Sequence, residues 1–444
     1  MTLLSRTYVD ACLTGDGGLR EAVARAGLPD AFEAAWRKHL LPRPWFVGED
    51  EMAAFARDLE GLFELLVSLP ARLFDGDLVR YGEGIGVAPR HLELLRRGAA
   101  GRPAKLGRAD AYHDGTSYKL LEFNLGSEVG GMDMAVCNAR LLRVAEFAAF
   151  ATEYRLRFVD TAARLAADLR ERARPALAGG GAEPVIGLIE GNGGIGPYGT
   201  LMRAFQEAMA EQGLELLIGE IDQVRAGTDG KLTLDGAPLD LVLRNFGASQ
   251  LLGDPAGPDV AEHLLRAHRT DRTVLFTSLE SGLYAHKNAL ALLSDPRWAA
   301  AFDAEERALV DRVLPWSRSL RAPARGLLDE CRERREQLIL KPGAGHGGMD
   351  TFVGWECDDA EWRAALAVAA DRGYLAQERV VPRAEPVHDP AGDRAHDWIA
   401  ALGVFLTSEG YAGAHARANR ADGGAIVGMS SNPGTRMACV FSHP

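Results

Sequence analysis

The stretch from Leu338 to Asp350 constrains this chain more than any other segment. The apolar run Leu338–Leu340 ends at Lys341, and a glycine loop then leads to a second apolar run that begins at Thr351. The loop glycines are Gly343, Gly345, Gly347 and Gly348. Because glycine has no Cβ, such a backbone can close over an anion and present N–H groups to it. The pattern predicts a β-hairpin with a mobile lid and a lysine within reach of phosphate oxygens. The alternative is a glycine-rich surface hairpin whose lysine is solvated; the P-loop pattern differs, since its Gly-Lys-Ser/Thr run opens a helix.

A second hairpin is predicted between residues 108 and 124. Asp114-Gly115 is a strong turn pair that separates two stretches with strand character. Residues two apart on a strand share a face, so Arg108 shares one with Asp110, and Glu122 shares one with Asn124. If the two faces coincide, a guanidinium meets two carboxylates and an amide oxygen, a set of oxygen ligands that suits Mg²⁺. The alternative is a polar hairpin face with an ordinary arginine–carboxylate ion pair.

Residues 184–246 have the pattern of a mononucleotide-binding α/β unit. The buried strand Val185–Glu190 is followed by the glycine segment Gly191–Gly196, a helix predicted over Tyr198–Gln212 and a strand over Leu214–Ile218. Formally, the glycine segment is the GxGxxG fingerprint of dinucleotide-binding proteins. Pro197, directly after the third glycine, argues against that interpretation. NAD binding, a loop that faces a substrate, and plain turn chemistry therefore stay open as interpretations.

Other polar residues lie at predicted strand and helix ends. Arg244 ends a buried strand, at the carboxyl edge where open α/β sheets bind ligands. Lys287 opens a predicted helix, where it could reach phosphates or simply be solvated. The predicted strand Tyr374–Pro382 could offer backbone groups to an adenine and the Glu378 carboxylate to a ribose, or be an ordinary sheet strand.

The remaining elements are predicted from apolar spacing. Residues 1–70 are expected to be helical, and one long helix is expected from about Met134 to Arg174, where Pro175 would help to end it. Two strands are expected over Asp397–Leu406 and Tyr411–Ala418.

Composition restricts the class of protein. A chain of 444 residues predicts two or three domains, and the net charge of −12 argues against a nucleic-acid partner. No apolar run reaches the length of a membrane span, so no membrane partner is expected. The five cysteines are scattered without a CxxC pair, which favours a reducing, cytoplasmic location and argues against a zinc site.

The order of these features resembles the ATP-grasp ligases. An Asp-x11-Glu-x-Asn hairpin comes first, then an α/β unit, then a lysine–glycine lid and a strand with Gln377-Glu378. In the usual ATP-grasp order the metal-binding acids follow the lid, whereas here Glu122 and Asn124 precede it by more than two hundred residues. The chain is therefore similar to the circularly permuted branch that includes glutathionylspermidine synthetase, over roughly residues 75–440. It differs from that enzyme in lacking a recognisable amidase domain.

The resemblance implies a role for each candidate residue. Asp110, Glu122 and Asn124 would be the magnesium ligands, Arg108 would face the transferred phosphate, and Arg417 would lie near the acyl phosphate. The residues implied to contact ATP are Lys287, Lys341, Gly345, His346, Gly347, Gly348, Gln377 and Glu378. The residues implied to face the substrate are Asn192, Gly193, Tyr198 and Arg244.

The resemblance also implies an architecture and an activity. The expected fold is α/β (α+β), a circularly permuted ATP-grasp fold with a Rossmann-like substrate domain and a helical N-terminal region. The expected divisions are a helical region over 1–74, a metal-binding part with the long helix over 75–180, a substrate domain over 181–280, and a nucleotide-binding lobe over 281–444. The expected activity is ATP- and Mg²⁺-dependent joining of a small-molecule or peptide carboxylate to an amine, by a protein that could be a homodimer. An NAD-dependent oxidoreductase using the Gly191 loop and a non-catalytic nucleotide-binding protein are the alternatives.

Overall fold

The computed structural model describes residues 2–15, 17–99, 101–177, 183–323, 325–345 and 347–444. The α-helices are α1 (Leu3–Thr14), α2 (Ala22–Arg25), α3 (Asp30–Trp36), α4 (Glu49–Phe74), α5 (Leu78–Ile85), α6 (Pro89–Arg97), α7 (Met134–Leu141), α8 (Ala145–Glu153), α9 (Thr161–Ala173), α10 (Ile195–Glu211), α11 (Ala248–Gly253), α12 (Gly257–Arg269), α13 (Ser281–Ala285), α14 (Lys287–Ser294), α15 (Ala304–Val313), α16 (Leu327–Glu333) and α17 (Asp359–Arg372). The strands are β1 (Trp45–Gly48), β2 (Gly107–His113), β3 (Tyr118–Leu125), β4 (Val185–Glu190), β5 (Glu215–Glu220), β6 (Val224–Ala226), β7 (Leu232–Leu234), β8 (Ala237–Leu239), β9 (Leu241–Asn245), β10 (Val274–Phe276), β11 (Ser317–Ser319), β12 (Leu338–Lys341), β13 (Phe352–Val353), β14 (Leu375–Glu378), β15 (Glu385–His388), β16 (Ala395–Thr407), β17 (Gly410–Arg420), β18 (Arg436–Ala438) and β19 (Val440–His443).

A six-stranded antiparallel sheet forms the centre of the molecule. Its strands run in the order β18-β17-β16-β2-β3, and β15 pairs with the first residues of β16. The predicted hairpin is confirmed as β2–β3. The Asp114 carboxylate accepts hydrogen bonds from the backbone amides of Thr116 and Ser117. Gly115 has φ +103°, a value that suits glycine. The register places Arg108 opposite Asn124 and Asp110 opposite Glu122, so the two polar faces coincide.

A parallel sheet of four strands confirms the predicted α/β unit. Its strand order is β10-β9-β4-β5, and α10 connects β4 to β5. The helix begins at Ile195, three residues before the predicted start, because Pro197 falls in the first turn, where its missing N–H costs no hydrogen bond. The carboxyl ends of these strands lie at one edge of the sheet, beside the loop that follows β3, where Ser127 Oγ donates to the carbonyl of Arg244 at 2.7 Å.

The glycine stretch lies in a third sheet with the order β11-β14-β12-β13. Ile339 pairs with Val353 and Leu340 with Phe352 in antiparallel register, which confirms the predicted hairpin; its role as a lid stays a prediction. The returning strand has two residues, Phe352 and Val353, so Thr351 belongs to the loop. Helices α16 and α17 contribute Leu327, Cys331 and Trp362 to a separate core cluster under this sheet.

The long helix expected from Met134 to Arg174 is wrong. The segment is divided into α7, α8 and α9. The break between α8 and α9 contains Arg155, whose φ is +54°, and ends at Asp160, whose carboxylate accepts a hydrogen bond from the Ala163 amide and starts a new helix. Apolar residues recur through the whole segment because all three helices contribute to one core cluster, so periodicity alone did not reveal the breaks.

The N-terminal segment is helical, as expected, and is joined to the end of the chain. Strand β1 pairs in parallel with β19, from Trp45 with Val440 to Gly48 with His443. Helix α4 places Leu62 and Leu66 in the same core cluster as Leu290 of α14. In the described part of the chain, no helix combines the length and the apolarity that a membrane crossing needs. The expected division into four regions stays a prediction.

Candidate functional site

A cavity of about 630 Å³ lies between the central sheet and the lid sheet. It is lined by residues from five separate parts of the sequence that were singled out above. The predicted site residues that line it are Arg108, Asp110, Glu122, Asn124, Lys287, Lys341, Gly345, Gly347, Gly348, Gln377, Glu378 and Arg417. His346 lies outside the described residues.

Asp110 is the most tightly held acid in the cavity. The residue is 2% exposed, and its carboxylate accepts hydrogen bonds from Arg108 Nε at 2.7 Å and Arg108 Nη2 at 3.0 Å. Arg417 Nη2 lies 2.7 Å from Asp110 Oδ2. Burial by itself raises the pKa of Asp110, but the two guanidinium groups outweigh it and hold that pKa well below its usual range. Asp110 is therefore a fixed anion that aligns two arginines along one side of the cavity.

Glu122 and Asn124 complete the polar face of the hairpin. The Asn124 amide donates to Asp110 Oδ2 at 3.3 Å and to Glu122 Oε1 at 3.2 Å. Burial raises the pKa of Glu122, but Lys287 and Lys341 lower it further than burial raises it. Two carboxylates and one amide are thus within hydrogen-bond distance of one another on one face of the β2–β3 hairpin.

This face fits a hard divalent cation by its donor set. Oxygen ligands from two carboxylates and an amide suit Mg²⁺, which usually completes its shell with phosphate oxygens and water. Within the ranges that the structure describes, no group of three or more His, Cys, Asp or Glu side chains is arranged to hold a metal. A cation here would therefore depend on Asn124 and on oxygens that are not from the protein.

Two lysines connect this face to the lid. Lys287 Nζ lies 3.1 Å from Glu122 Oε2 and donates to the Gly345 carbonyl at 3.0 Å. The backbone N–H of Lys287 also donates to the Gly343 carbonyl, at 2.8 Å. Lys341 Nζ donates to the Leu121 carbonyl at 3.1 Å and to Gln377 Oε1 at 2.7 Å. Both ammonium groups are consequently held at the acid end of the cavity.

Gln377 and Glu378 differ in their surroundings. Gln377 is fully buried. Its amide oxygen accepts a hydrogen bond from Lys341 Nζ, and its amide nitrogen donates one to Ser317 Oγ at 3.2 Å. The Glu378 carboxylate is half-exposed and accepts from Arg334 Nη2 at 3.1 Å, and the Arg334 guanidinium lies 4.5 Å from the Trp316 ring centroid. Gln377 therefore fixes a lysine, whereas Glu378 is accessible from the cavity.

The other end of the cavity is mainly apolar. Its side chains come from the lid, the β14 turn and the central sheet. The apolar lining residues are Ile339, Met349, Trp355, Val380, Val381, Pro382, Ala384, Ile399, Ala401 and Val427. The cavity thus has a charged end and an apolar end, which suits a ligand with an anionic part and a flat apolar part.

Sequence reasoning missed the loop over residues 421–435, which forms one wall of the cavity. A Cβ on Gly348 would lie 2.6 Å from Ile426 Cγ2, and one on Gly347 would lie 3.2 Å from Ser430 Cβ. The lid glycines therefore approach this loop more closely than other residue types could. The glycines of this segment, Gly423, Gly424, Gly428 and Gly434, were the sequence feature that could have identified it.

The four predicted substrate residues do not line the cavity. Asn192, Gly193 and Tyr198 lie at the carboxyl edge of the parallel sheet, where Asn192 Oδ1 accepts from the Asp222 amide at 2.9 Å and its amide nitrogen contacts Asp254. Tyr198 is exposed. Arg244 is buried beneath the loop after β3 and forms an ion pair with Glu128, a lining residue that the sequence did not single out.

Comparison with known proteins gives a likeness in fold. No protein-family model matches the chain, and no curated protein matches it. The structure of a glutathione synthetase-like effector from Globodera pallida, in its apo form, is similar with a TM-score of 0.57 and 14% sequence identity, over 91% of this chain and 90% of that one. A putative gamma-glutamylcysteine synthetase from Methylobacillus flagellatus KT aligns with a TM-score of 0.39 and 15% identity, over 78% of this chain and 83% of that one. The chain therefore has a mixed α/β fold like that of the glutathione synthetase-like effector.

Proposed function

We propose that this protein is an ATP- and Mg²⁺-dependent ligase of the ATP-grasp type, with the circularly permuted order of elements. It would join a small-molecule or peptide carboxylate to an amine through an acyl phosphate, releasing ADP and phosphate. The observation that carries the proposal is the single cavity that collects the hairpin acids, both lysines, the glycine lid and Arg417. The likeness in fold to a glutathione synthetase-like protein supports it.

The charges at the polar end suit a polyphosphate. Four cationic side chains meet two carboxylates there, which leaves two positive charges unbalanced. These six residues are Arg108, Arg417, Lys287, Lys341, Asp110 and Glu122. Ammonium and guanidinium groups bind phosphate oxygens by charge-assisted hydrogen bonds. Both lysine ammonium groups already donate hydrogen bonds within the protein. Phosphate oxygens would therefore replace the carbonyl and amide oxygens that now accept these bonds.

Asp110, Glu122 and Asn124 would hold Mg²⁺. A bound Mg²⁺ ion neutralises phosphate charge as the phosphoryl group moves. The protein's own part is positional: Arg108 and Arg417, aligned by Asp110, would hold the carboxylate and the phosphoryl group close together. The apolar end would take the adenine, and Glu378 would accept from the ribose hydroxyls.

The lid would keep water away from the acyl phosphate. Acyl phosphates hydrolyse readily, so the site must close before the amine attacks. The Gly343 and Gly345 carbonyls accept from Lys287, and the Gly347–Gly348 segment lies against the loop over 421–435. These contacts with both walls of the cavity support a role for the glycine loop as a lid.

The NAD alternative has less support. In a dinucleotide site the N-terminus of the helix after the glycine segment binds the pyrophosphate. Here the Glu220 carboxylate accepts from the Ile195 amide at 2.9 Å, so the first turn of α10 already binds an acid of the chain itself. A pyrophosphate at that helix end would have to displace a carboxylate and be repelled by it.

The test of the proposal is calorimetric titration of ATP with and without Mg²⁺, followed by a screen of carboxylate–amine pairs for ADP release. Binding that weakens without Mg²⁺, together with ADP release that requires both substrates, is the expected result. NADH binding without ATP binding would favour the oxidoreductase. ATP binding without ADP release for any pair would favour the non-catalytic alternative.

Nucleotide affinity is expected to fall above pH 8. Burial and the nearby Lys287 lower the pKa of Lys341 to about 8, although Glu122 opposes that shift. Lys341 is therefore charged below pH 8 and neutral above it, and phosphates bind the charged form. The Kd for MgATP should rise by up to about tenfold per pH unit between pH 8 and 9.5. The Lys341→Arg variant keeps its charge and should flatten this rise; an equal rise in both proteins would show that another group is responsible.

Gly343→Ala is expected to weaken MgATP binding by about tenfold, or 1.4 kcal/mol. A Cβ at this position would lie 2.3 Å from His286 Cε1, and His286 is buried, so the lid must shift away from Lys287. Calorimetric titration of both variants measures the effect. Gly253→Ala is the matched control, since a Cβ there meets nothing within 4 Å. Equal Kd values for the two variants would contradict a role for the lid position in binding.

A further inference from the structure

Glu128 is an acid of the cavity wall that the chain holds in a fixed position. It lies in the loop after β3 and lines the same cavity as Arg108 and Asn124. Its Oε1 is 2.6 Å from Arg244 Nη1. The side chain of Glu128 is 34% exposed, whereas that of Arg244 is 1% exposed. One partner of this ion pair is thus buried in the protein, and the other is accessible from the cavity.

Arg244 has no free donor for a ligand. Its Nε donates to the Thr277 carbonyl at 2.6 Å, and its Nη1 donates to the Phe246 carbonyl at 2.8 Å. Its Nη2 donates to Ser281 Oγ at 2.6 Å, to Thr277 Oγ1 at 3.0 Å and to the Ser278 carbonyl at 3.1 Å. A guanidinium with every nitrogen in use, at 1% exposure, cannot take a substrate carboxylate without breaking these bonds. Arg244 therefore acts on the cavity only indirectly, by orienting the Glu128 carboxylate.

Two glycines leave room for the Glu128 carboxylate. A Cβ on Gly126 would lie 2.9 Å from Glu128 Oε2, and one on Gly247 would lie 3.1 Å from Glu128 Oε1. Gly126 also has φ +137°, which other residues rarely adopt. Side chains at either position would push the carboxylate away, so the backbone on both sides is shaped around it.

The loop that carries Glu128 contacts Arg108, the residue proposed to face the phosphoryl group. Two residues further along the same loop, the Gly130 carbonyl accepts from Arg108 Nη1 at 2.9 Å. Glu128 thus extends the wall of the cavity beyond the guanidinium that would face the phosphoryl group.

The geometry points to Glu128 as the residue that binds the amine substrate in its ammonium form, with Arg244 as the positioning residue that fixes the carboxylate. This inference rests on the proposed function and assigns the class of the acceptor: a protonated amine. A carboxylate attracts an ammonium group and rejects a carboxylate or phosphate, so the acceptor and the acyl donor would be sorted to different walls of the cavity. The Arg244 charge compensates only one carboxylate oxygen by direct contact, while Oε2 lies against Gly126.

The test is a calorimetric titration of glycine and of 1,4-diaminobutane into the full chain saturated with Mg²⁺ and a non-hydrolysable ATP analogue. Wild-type protein is expected to bind at least one of the two amines, and Glu128→Gln should bind it at least about tenfold more weakly. Glu128→Asp, which keeps the charge but shortens the side chain, should fall between them. Glu262→Gln is the control, because Glu262 pairs with Arg97 on the surface and does not line the cavity.

The outcomes separate this inference from the proposed function. If the ATP analogue fails to bind wild-type protein, the proposed function is wrong. If the analogue binds wild type and Glu128→Gln equally, but the amine Kd is the same in both or neither amine binds, the inference about Glu128 is wrong and the proposed function stands. Thermal unfolding of Glu128→Gln shows whether a weaker amine Kd comes from a damaged fold, and Arg244→Gln should reproduce the amine defect without loss of analogue binding.

Discussion

Replacing Glu122 by glutamine is expected to lower ADP-forming turnover by about 10²–10³-fold. Glu122 belongs to the oxygen set proposed for Mg²⁺, and its Oε2 lies 3.1 Å from Lys287 Nζ. Glutamine keeps the size of the side chain but removes the charge that both a cation and Lys287 require. Steady-state ADP release measures the turnover, and calorimetric titration of ATP with and without Mg²⁺ measures the metal dependence.

The control for this variant is Glu262→Gln, which removes a carboxylate from an arginine pair at the surface and should leave turnover unchanged. The expected pattern is specific: wild-type ATP binding should strengthen with Mg²⁺, and Glu122→Gln should bind ATP with nearly the same Kd whether or not Mg²⁺ is present. A variant with wild-type turnover, or one whose Kd still falls with Mg²⁺ as much as wild type's, would remove Glu122 from the metal site.

Replacing Asp110 by asparagine is expected to lower the free energy of unfolding by about 3 kcal/mol. Asp110 is 2% exposed. Its carboxylate lies 2.7 Å from Arg108 Nε and 2.7 Å from Arg417 Nη2. Without the carboxylate, two guanidinium groups with little exposure face each other with no anion between them. Urea unfolding of the ligand-free chain measures the loss, and addition of inorganic phosphate should recover part of it.

The double variant Asp110→Asn with Arg417→Met provides the internal check. If the destabilisation comes from uncompensated positive charge, removing Arg417 as well should cost less than the sum of the two single changes. Asp329→Asn, which breaks an exposed pair with Arg332, should cause little change. Additive single effects would mean that Asp110 is held by packing and not by its charge.

Local chemistry made several elements predictable. Asp114-Gly115 specified the turn of the β2–β3 hairpin, and the two-residue period then placed Arg108, Asp110, Glu122 and Asn124 on one face. The glycine lid between Lys341 and Phe352 was predictable for the same reason, since both hairpins depend on residues that are neighbours in the chain. The helix break at Arg155 was not predictable, because the left-handed backbone conformation of an arginine does not change the spacing of apolar residues.

Contacts between distant residues could be inferred only by resemblance or not at all. The roles proposed for Lys287 and Lys341 came from motif order, but the sequence did not show that Gln377 would accept a hydrogen bond from Lys341 or that Lys287 would donate one to the Gly345 carbonyl. Arg244 looked like a substrate ligand at the end of a strand. In the structure, Arg244 instead donates five hydrogen bonds to other groups of the protein and pairs with Glu128, which faces the cavity. This arrangement depends on where three separate loops meet.

Short-range patterns in the chain specify its local elements: two hairpins, a parallel α/β unit and the polar faces that they carry. These depend on turn residues and on side-chain periodicity, which act over a few residues. The folded arrangement was needed to show that the polar face of the β2–β3 hairpin shares one cavity with Lys287, Lys341, the lining lid glycines, Gln377, Glu378 and Arg417. That requires β17, β16, β2 and β3 to pair in this order, although β2 and β16 lie almost three hundred residues apart. Pairing over such distances is set by the fit of whole buried faces, and no short stretch of sequence contains that information.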